Sequence, residues 1–153
     1  MEQQLFELLK RDHRQVEKWM TQIEDGPTRD REEIFTTLQD ALEKHMALEE
    51  KHFYPQVKKI KELKDLAADA VDEHEKVKNF LSQLEDLDVD DDEWLTTFNE
   101  MRQGILHHVQ DEEKKIFPGC TKFMNAQLLK EIGQKCVDEK ERTTTSRGQK
   151  ARR

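Results

Sequence analysis

The sequence predicts an all-α fold, an up-and-down antiparallel four-helix bundle with a short fifth helix and a disordered basic tail. Three observations predict it. Apolar residues recur at alternating spacings of three and four along successive runs, which is the seam of helices packed against one another. Only three prolines and five glycines punctuate 153 residues, and runs of β-branched residues are absent, which disfavours strands. The length is that of one domain able to bury a single core.

The first helix is expected over residues 3–24, with Leu5, Leu9, Val16, Met20 and Ile23 on one stripe. "DGPTRD" then breaks the chain at Gly26 and Pro27. The second helix, 29–53, runs through Leu38 and Leu42 into His45, Glu49 and His52. The third, 62–86, carries Leu63, Ala67, Ala70, His74, Val77, Leu81 and Leu84. In the fourth, 92–115, Trp94, Phe98, Met101, Ile105, His108 and Glu112 keep the same rhythm. Before it, "DLDVDDDEW" lacks the central glycine and terminal glutamate of a calcium loop in any frame. It reads as a loop that places negative charge at a helix N-terminus. A shorter fifth helix is expected over 121–141 through Leu128, Leu129, Ile132 and Cys136.

Charge and composition narrow the function classes. Charged residues make up 39% and hydrophobic ones 34%, with a net charge of −8. Residues 140–153 carry +5, leaving −13 for residues 1–139, and so acidic a body argues against nucleic-acid binding as the main role. No apolar run approaches a membrane span, the N-terminus lacks the basic and apolar regions of a signal peptide, and two cysteines do not make a disulfide scaffold. The expected location is the cytoplasm, and Cys120 reads as a packing residue or free thiol.

The histidines fall on the seams. His13 lies within the apolar stripe of the first helix, and His45, His74 and His108 each lie on the stripe of their own helix. Glu49 and Glu112 follow one turn after His45 and His108 on the same faces. The chain repeats itself here. "HMALEEKHFYP" (45–55) and "HHVQDEEKKIFP" (107–118) align on their prolines, His13/His74 are 61 apart and His45/His108 are 63 apart. Four imidazoles and two carboxylates are thus aimed into one core, where unpartnered ionisable groups are expensive. Such a set pairs with itself or binds metal. Six nitrogen and oxygen ligands without cysteine suit two metals with bridging carboxylates, iron first and manganese second. His13 and His45 would hold one metal, His74 and His108 the other, with Glu49 and Glu112 bridging and Glu113 facing away. His52 has Lys115 as its repeat counterpart and reads as a neighbour of the site or a bundle-end residue.

The order His13, "HMALE", His74, "HVQDE", each pair followed by an aromatic–Pro step, resembles the hemerythrin-like HHE cation-binding domain over residues 1–139. The resemblance implies a bundle around a non-haem di-iron centre with His13, His45, Glu49, His74, His108 and Glu112 as ligands. It also implies a role in binding or reacting with oxygen, peroxide or nitric oxide, in oxidative or nitrosative stress response or iron handling. Two departures stand out. The oxygen carriers of the family have a second histidine one turn after the first on the third helix, where this chain has Val77 and Lys78; this points away from reversible oxygen carriage. They also place an Asp five residues after the fourth helix's histidine, a spacing that His107 to Glu112 would keep, so His107 and His108 both remain candidates; the seam and the repeat favour His108. The alternative function is a metal- or oxygen-sensing regulatory module acting through a protein partner.

Overall fold

The computed structural model describes the backbone of residues 2–151 and the side chains of residues 2–143. The chain is helical as expected. α1 (Gln4–Asp25) turns at Gly26 and Pro27 into α2 (Thr28–Leu48), and one short turn of helix, α3 (Tyr54–Val57), extends it. α4 (Lys64–Glu85) and α5 (Asp92–Asp111) form the second hairpin, followed by α6 (Phe117–Phe123) and α7 (Ala126–Ala151). α1 packs on α2 and α4 on α5, α2 meets α4 and α1 meets α5, which closes a four-helix ring. α7 lies outside that ring against α1 and the end of α2. It approaches closely: a Cβ on Gly133 would sit 3.0 Å from the backbone nitrogen of Leu5.

The seams are the ones the spacing predicts. Leu5, Leu9, Val16, Met20 and Ile23 of α1 are buried, as are Leu38 and Leu42 of α2, Ala67 to Leu84 on the α4 stripe, and Trp94, Phe98, Met101 and Ile105 of α5. The last helix differs from expectation. It starts five residues later, at Ala126, and its backbone runs as helix to Ala151, past the expected end at 141. The segment has no proline to stop it, and its start is anchored. Glu139 accepts from Lys51 Nζ at 2.7 Å, and Lys140 pairs with Asp12. The side chains of the basic tail beyond residue 143 lie outside the described residues.

Two local features were not expected. Residues Glu49–Phe53 and Glu112–Ile116 are π turns, in which the N–H of Tyr54 reaches the carbonyl of Glu49 and that of Phe117 reaches Glu112. Each turn precedes a proline, Pro55 or Pro118. Proline lacks the N–H of a regular helix and crowds the carbonyl four residues back, and a widened turn relieves that crowding. The extra residue lets adjacent side chains both turn inward: Phe53 and Tyr54 in one copy, Ile116 and Phe117 in the other, are all buried.

Candidate metal centre

The apolar core has two parts. One is built around Leu5, Leu9, Phe53, Ala67, Phe117 and α7. The other is built around Val16, Met20, Leu38, Leu81, Trp94 and Phe98. His13, His45, Glu49, His74, His108 and Glu112 fall between them along each helix, and all six are buried, both glutamates completely. The sequence forces this layer: each histidine occupies a seam position between apolar residues, and the i+4 glutamates share their histidine's face.

The six side chains converge. His13 Nε2 lies 3.1 Å from Glu112 Oε1, and His45 Nε2 lies 3.1 Å from Glu49 Oε1. His74 Nε2 lies 3.2 Å from that same Glu49 oxygen, and His108 Nε2 lies 3.4 Å from Glu112 Oε2. The imidazoles pair as the repeat predicts: ring centroids are 5.1 Å apart for His13 and His45 and 4.7 Å for His74 and His108. Each carboxylate lies against one histidine of each pair. His13, His45, Glu49 and Glu112 form one group that could hold a metal ion, and Glu49, His74 and His108 form another.

Every one of these imidazoles is held from behind by a second carboxylate. Nδ1 of His13 lies 2.6 Å from Glu113, that of His45 lies 2.9 Å from Asp12, that of His74 lies 2.7 Å from Glu50 and that of His108 lies 2.8 Å from Glu73. An ionised carboxylate only accepts, so Nδ1 carries the proton and Nε2 presents its lone pair inward. This is the arrangement that fixes tautomer and ring orientation in metal-binding histidines. Three of the four outer carboxylates also hold a fixed cation: Lys140 on Asp12, Lys78 on Glu50 at 3.0 Å, and Arg14 on Glu113.

The centre therefore turns acceptors upon acceptors. His13 Nε2, His45 Nε2, both oxygens of Glu49 and Glu112 Oε1 are buried with no hydrogen-bond partner. Only a cation satisfies such a set, a metal ion or bound protons. The same pull shifts the pKa of several of the groups. Burial lowers the pKa of His108, yet the hydrogen bonds of Glu112, Glu49 and Glu73 outweigh it and leave His108 well above the ordinary histidine value. His45 is likewise raised, against its burial, by Glu49 and Glu112. Glu49 is held well below the ordinary carboxylate value, against its own burial, chiefly by His45, Glu112 and His108. One donor does reach in: the Tyr54 hydroxyl donates to Glu112 Oε2 and lies 3.4 and 3.3 Å from Nε2 of His74 and His108. The donor set fits a hard or borderline metal ion held by nitrogen and oxygen.

A ring of four helices around a buried layer of imidazoles and carboxylates defines a helical-bundle protein with a candidate cation centre. The Hemerythrin HHE cation binding domain model matches residues 4–120, and the chain belongs to that family. In shape it is similar to a hemerythrin HHE cation binding domain-containing protein from Mycobacterium kansasii, at 24% identity with a TM-score of 0.81, over 96% of this chain and 91% of that one. No curated protein matches the chain.

The structure separates the two candidate histidines of α5. His108 turns into the layer, whereas His107 is 68% exposed and meets Asp111 and Glu73. Glu113 does not face away as expected; it lies 2.6 Å from His13 Nδ1. His52 Nε2 lies 2.6 Å from Glu139 and ties the first π turn to α7 at the bundle end. Cys120 and Cys136 are free and buried, with thiols pushed up by burial to about 12, so neither is a thiolate near neutrality. The outer carboxylates and Tyr54 were missed by sequence reasoning. A signal for the former was present: Asp12, Glu50, Glu73 and Glu113 each adjoin an inner residue, and each repeats across the two halves.

Proposed function

We propose that His13, His45, Glu49, His74, His108 and Glu112 hold two iron ions, manganese being the other ion this donor set would take. The protein then binds or reacts with a small molecule, oxygen, peroxide or nitric oxide, in oxidative or nitrosative stress response or in iron handling. The observation that carries the reading is the layer of inward-facing Nε2 and carboxylate acceptors, buried and without donors of their own. Bound iron supplies redox change and coordination positions open to a small ligand. The chain's residues do the rest. The outer carboxylates lock each imidazole with Nε2 inward, the two apolar clusters exclude bulk water, and Tyr54 holds Glu112 in place. The position one turn beyond His74 supports reaction over carriage, because Val77 packs in the core and Lys78 holds Glu50, which leaves no fifth imidazole there.

A sensing role is favoured by one specific contact. Asp12 holds His45 with one oxygen and Lys140 of α7 with the other, so a change at the centre reaches the last helix directly. Metal analysis of anaerobically purified protein, with its optical spectrum before and after oxygen, peroxide or nitric oxide, tests the main reading. About two irons per chain and a spectral change on exposure are expected. Protein without tightly bound metal, or iron whose spectrum ignores all three reagents, would overturn it.

A further inference from the structure

His107 is the one histidine that neither the bundle layer nor the contact with α7 uses. Its Nε2 lies 3.1 Å from Asp111 Oδ2, one turn along α5, and 3.6 Å from Glu73 Oε2, across the groove on α4. Two metal–ligand bonds of about 2.0–2.1 Å at a tetrahedral angle put their donor atoms about 3.3 Å apart. The two observed distances bracket that value. The three donors are positioned independently of one another. Lys115 lies 3.5 Å from Asp111 Oδ1, leaving Oδ2 toward His107, and Glu73 is fixed by giving Oε1 to His108 Nδ1 at 2.8 Å.

The outer carboxylates supply the second argument. Asp12, Glu50 and Glu113 each meet a histidine of the centre and a lysine or arginine. Glu73 breaks the scheme: its second oxygen faces His107, a residue that can ligate a metal, where the others face a lysine or arginine. The half-repeat makes the same point, since the counterparts of His107 and Asp111 are Lys44 and Leu48, which could not form such a site.

We propose that His107, Asp111 and Glu73 form an additional, solvent-exposed site for a divalent transition-metal ion, with water completing its coordination. One imidazole and two carboxylates suit zinc, manganese or ferrous iron. Exposure of His107 makes the ion exchangeable, and Glu73 joins this site to His108 through a single carboxylate. The site does not depend on what the buried layer holds.

The test titrates zinc into the full chain as purified, follows binding by calorimetry, and measures zinc and iron content after dialysis. Wild type should take up one zinc more per chain than His107→Ala or Asp111→Asn, with iron content equal in all three. Lys44→Ala, in the counterpart position, should match wild type. Wild-type and His107→Ala protein that bind zinc equally, or a wild type that binds none, would overturn the proposal. The difference of one zinc is read whether or not the buried layer carries iron, so this site and the di-iron reading fail separately.

Discussion

The two halves of the bundle, α1 to α3 and α4 to α6, supply the same parts in the same order. His13 matches His74, His45 matches His108, Glu49 matches Glu112, and the outer carboxylates match as Asp12 with Glu73 and Glu50 with Glu113. Even the contacts obey the two-fold relation: His13 reaches Glu113 as His74 reaches Glu50, and His45 reaches Asp12 as His108 reaches Glu73. The halves part company just outside this set. Tyr54 puts a hydroxyl among the inner atoms where its counterpart Phe117 stacks its ring on Phe6, and α7 packs chiefly on the first half, with Lys140 and Glu139 among its contacts there. The difference teaches that the donor set is constrained as a pair, while the surroundings of each half are free to diverge.

The inner carboxylates test the equivalence most severely. Glu49→Ala and Glu112→Ala should each reduce iron from about two per chain to below one, because each glutamate lies against a histidine of both pairs. The melting temperature of iron-treated variant should then fall to that of chelator-stripped protein. Either variant keeping two tightly bound irons would reject shared ligation. A drop in one variant alone would show that the halves are not equivalent.

The outer carboxylates come next. Glu50→Gln and Glu113→Gln keep a hydrogen-bond acceptor on His74 and His13 but remove its charge, and each should weaken iron binding about 10–100-fold. Chelator competition measures this. Equal losses sharpen the two-fold comparison; unchanged affinities in both would reduce these residues to ordinary surface ion pairs with Lys78 and Arg14.

The repeat explains why so much of the centre is legible in the sequence. Helical periodicity fixes which face a residue occupies, so His13, His45, His74 and His108 could be placed on seams, and i+4 spacing carried Glu49 and Glu112 with them. Periodicity fails where the helix stops being regular. The π turns shift the register across Glu49–Phe53 and Glu112–Ile116, and the residues just after them, Tyr54 and Phe117, are both buried. Contacts between helices, such as Asp12 with His45 or Glu139 with His52, have no local pattern at all and had to await the fold. The last helix runs past residue 141, where no apolar stripe marks it in the sequence, and the contacts of Glu139 and Lys140 that hold it to the bundle have no local pattern either.

Tyr54→Phe makes the smallest change, and it makes the two halves alike. The hydroxyl is buried and donates to Glu112 Oε2, an oxygen that also faces His108. Burial, followed by Glu112 and Glu49, raises the phenol well above the ordinary tyrosine value, so it stays protonated and remains a donor at neutral pH. In chelator-stripped protein, losing that donor leaves a buried carboxylate oxygen short of a partner and should destabilise the fold by about 1–2 kcal/mol. In iron-loaded protein the cation satisfies the same oxygen, so the loss should shrink to less than about 1 kcal/mol and iron content should be unchanged. Urea unfolding of stripped and loaded forms, wild type beside variant, reads both numbers. A variant that loses one iron would instead make the phenol a ligand, and the donor set itself would then be asymmetric.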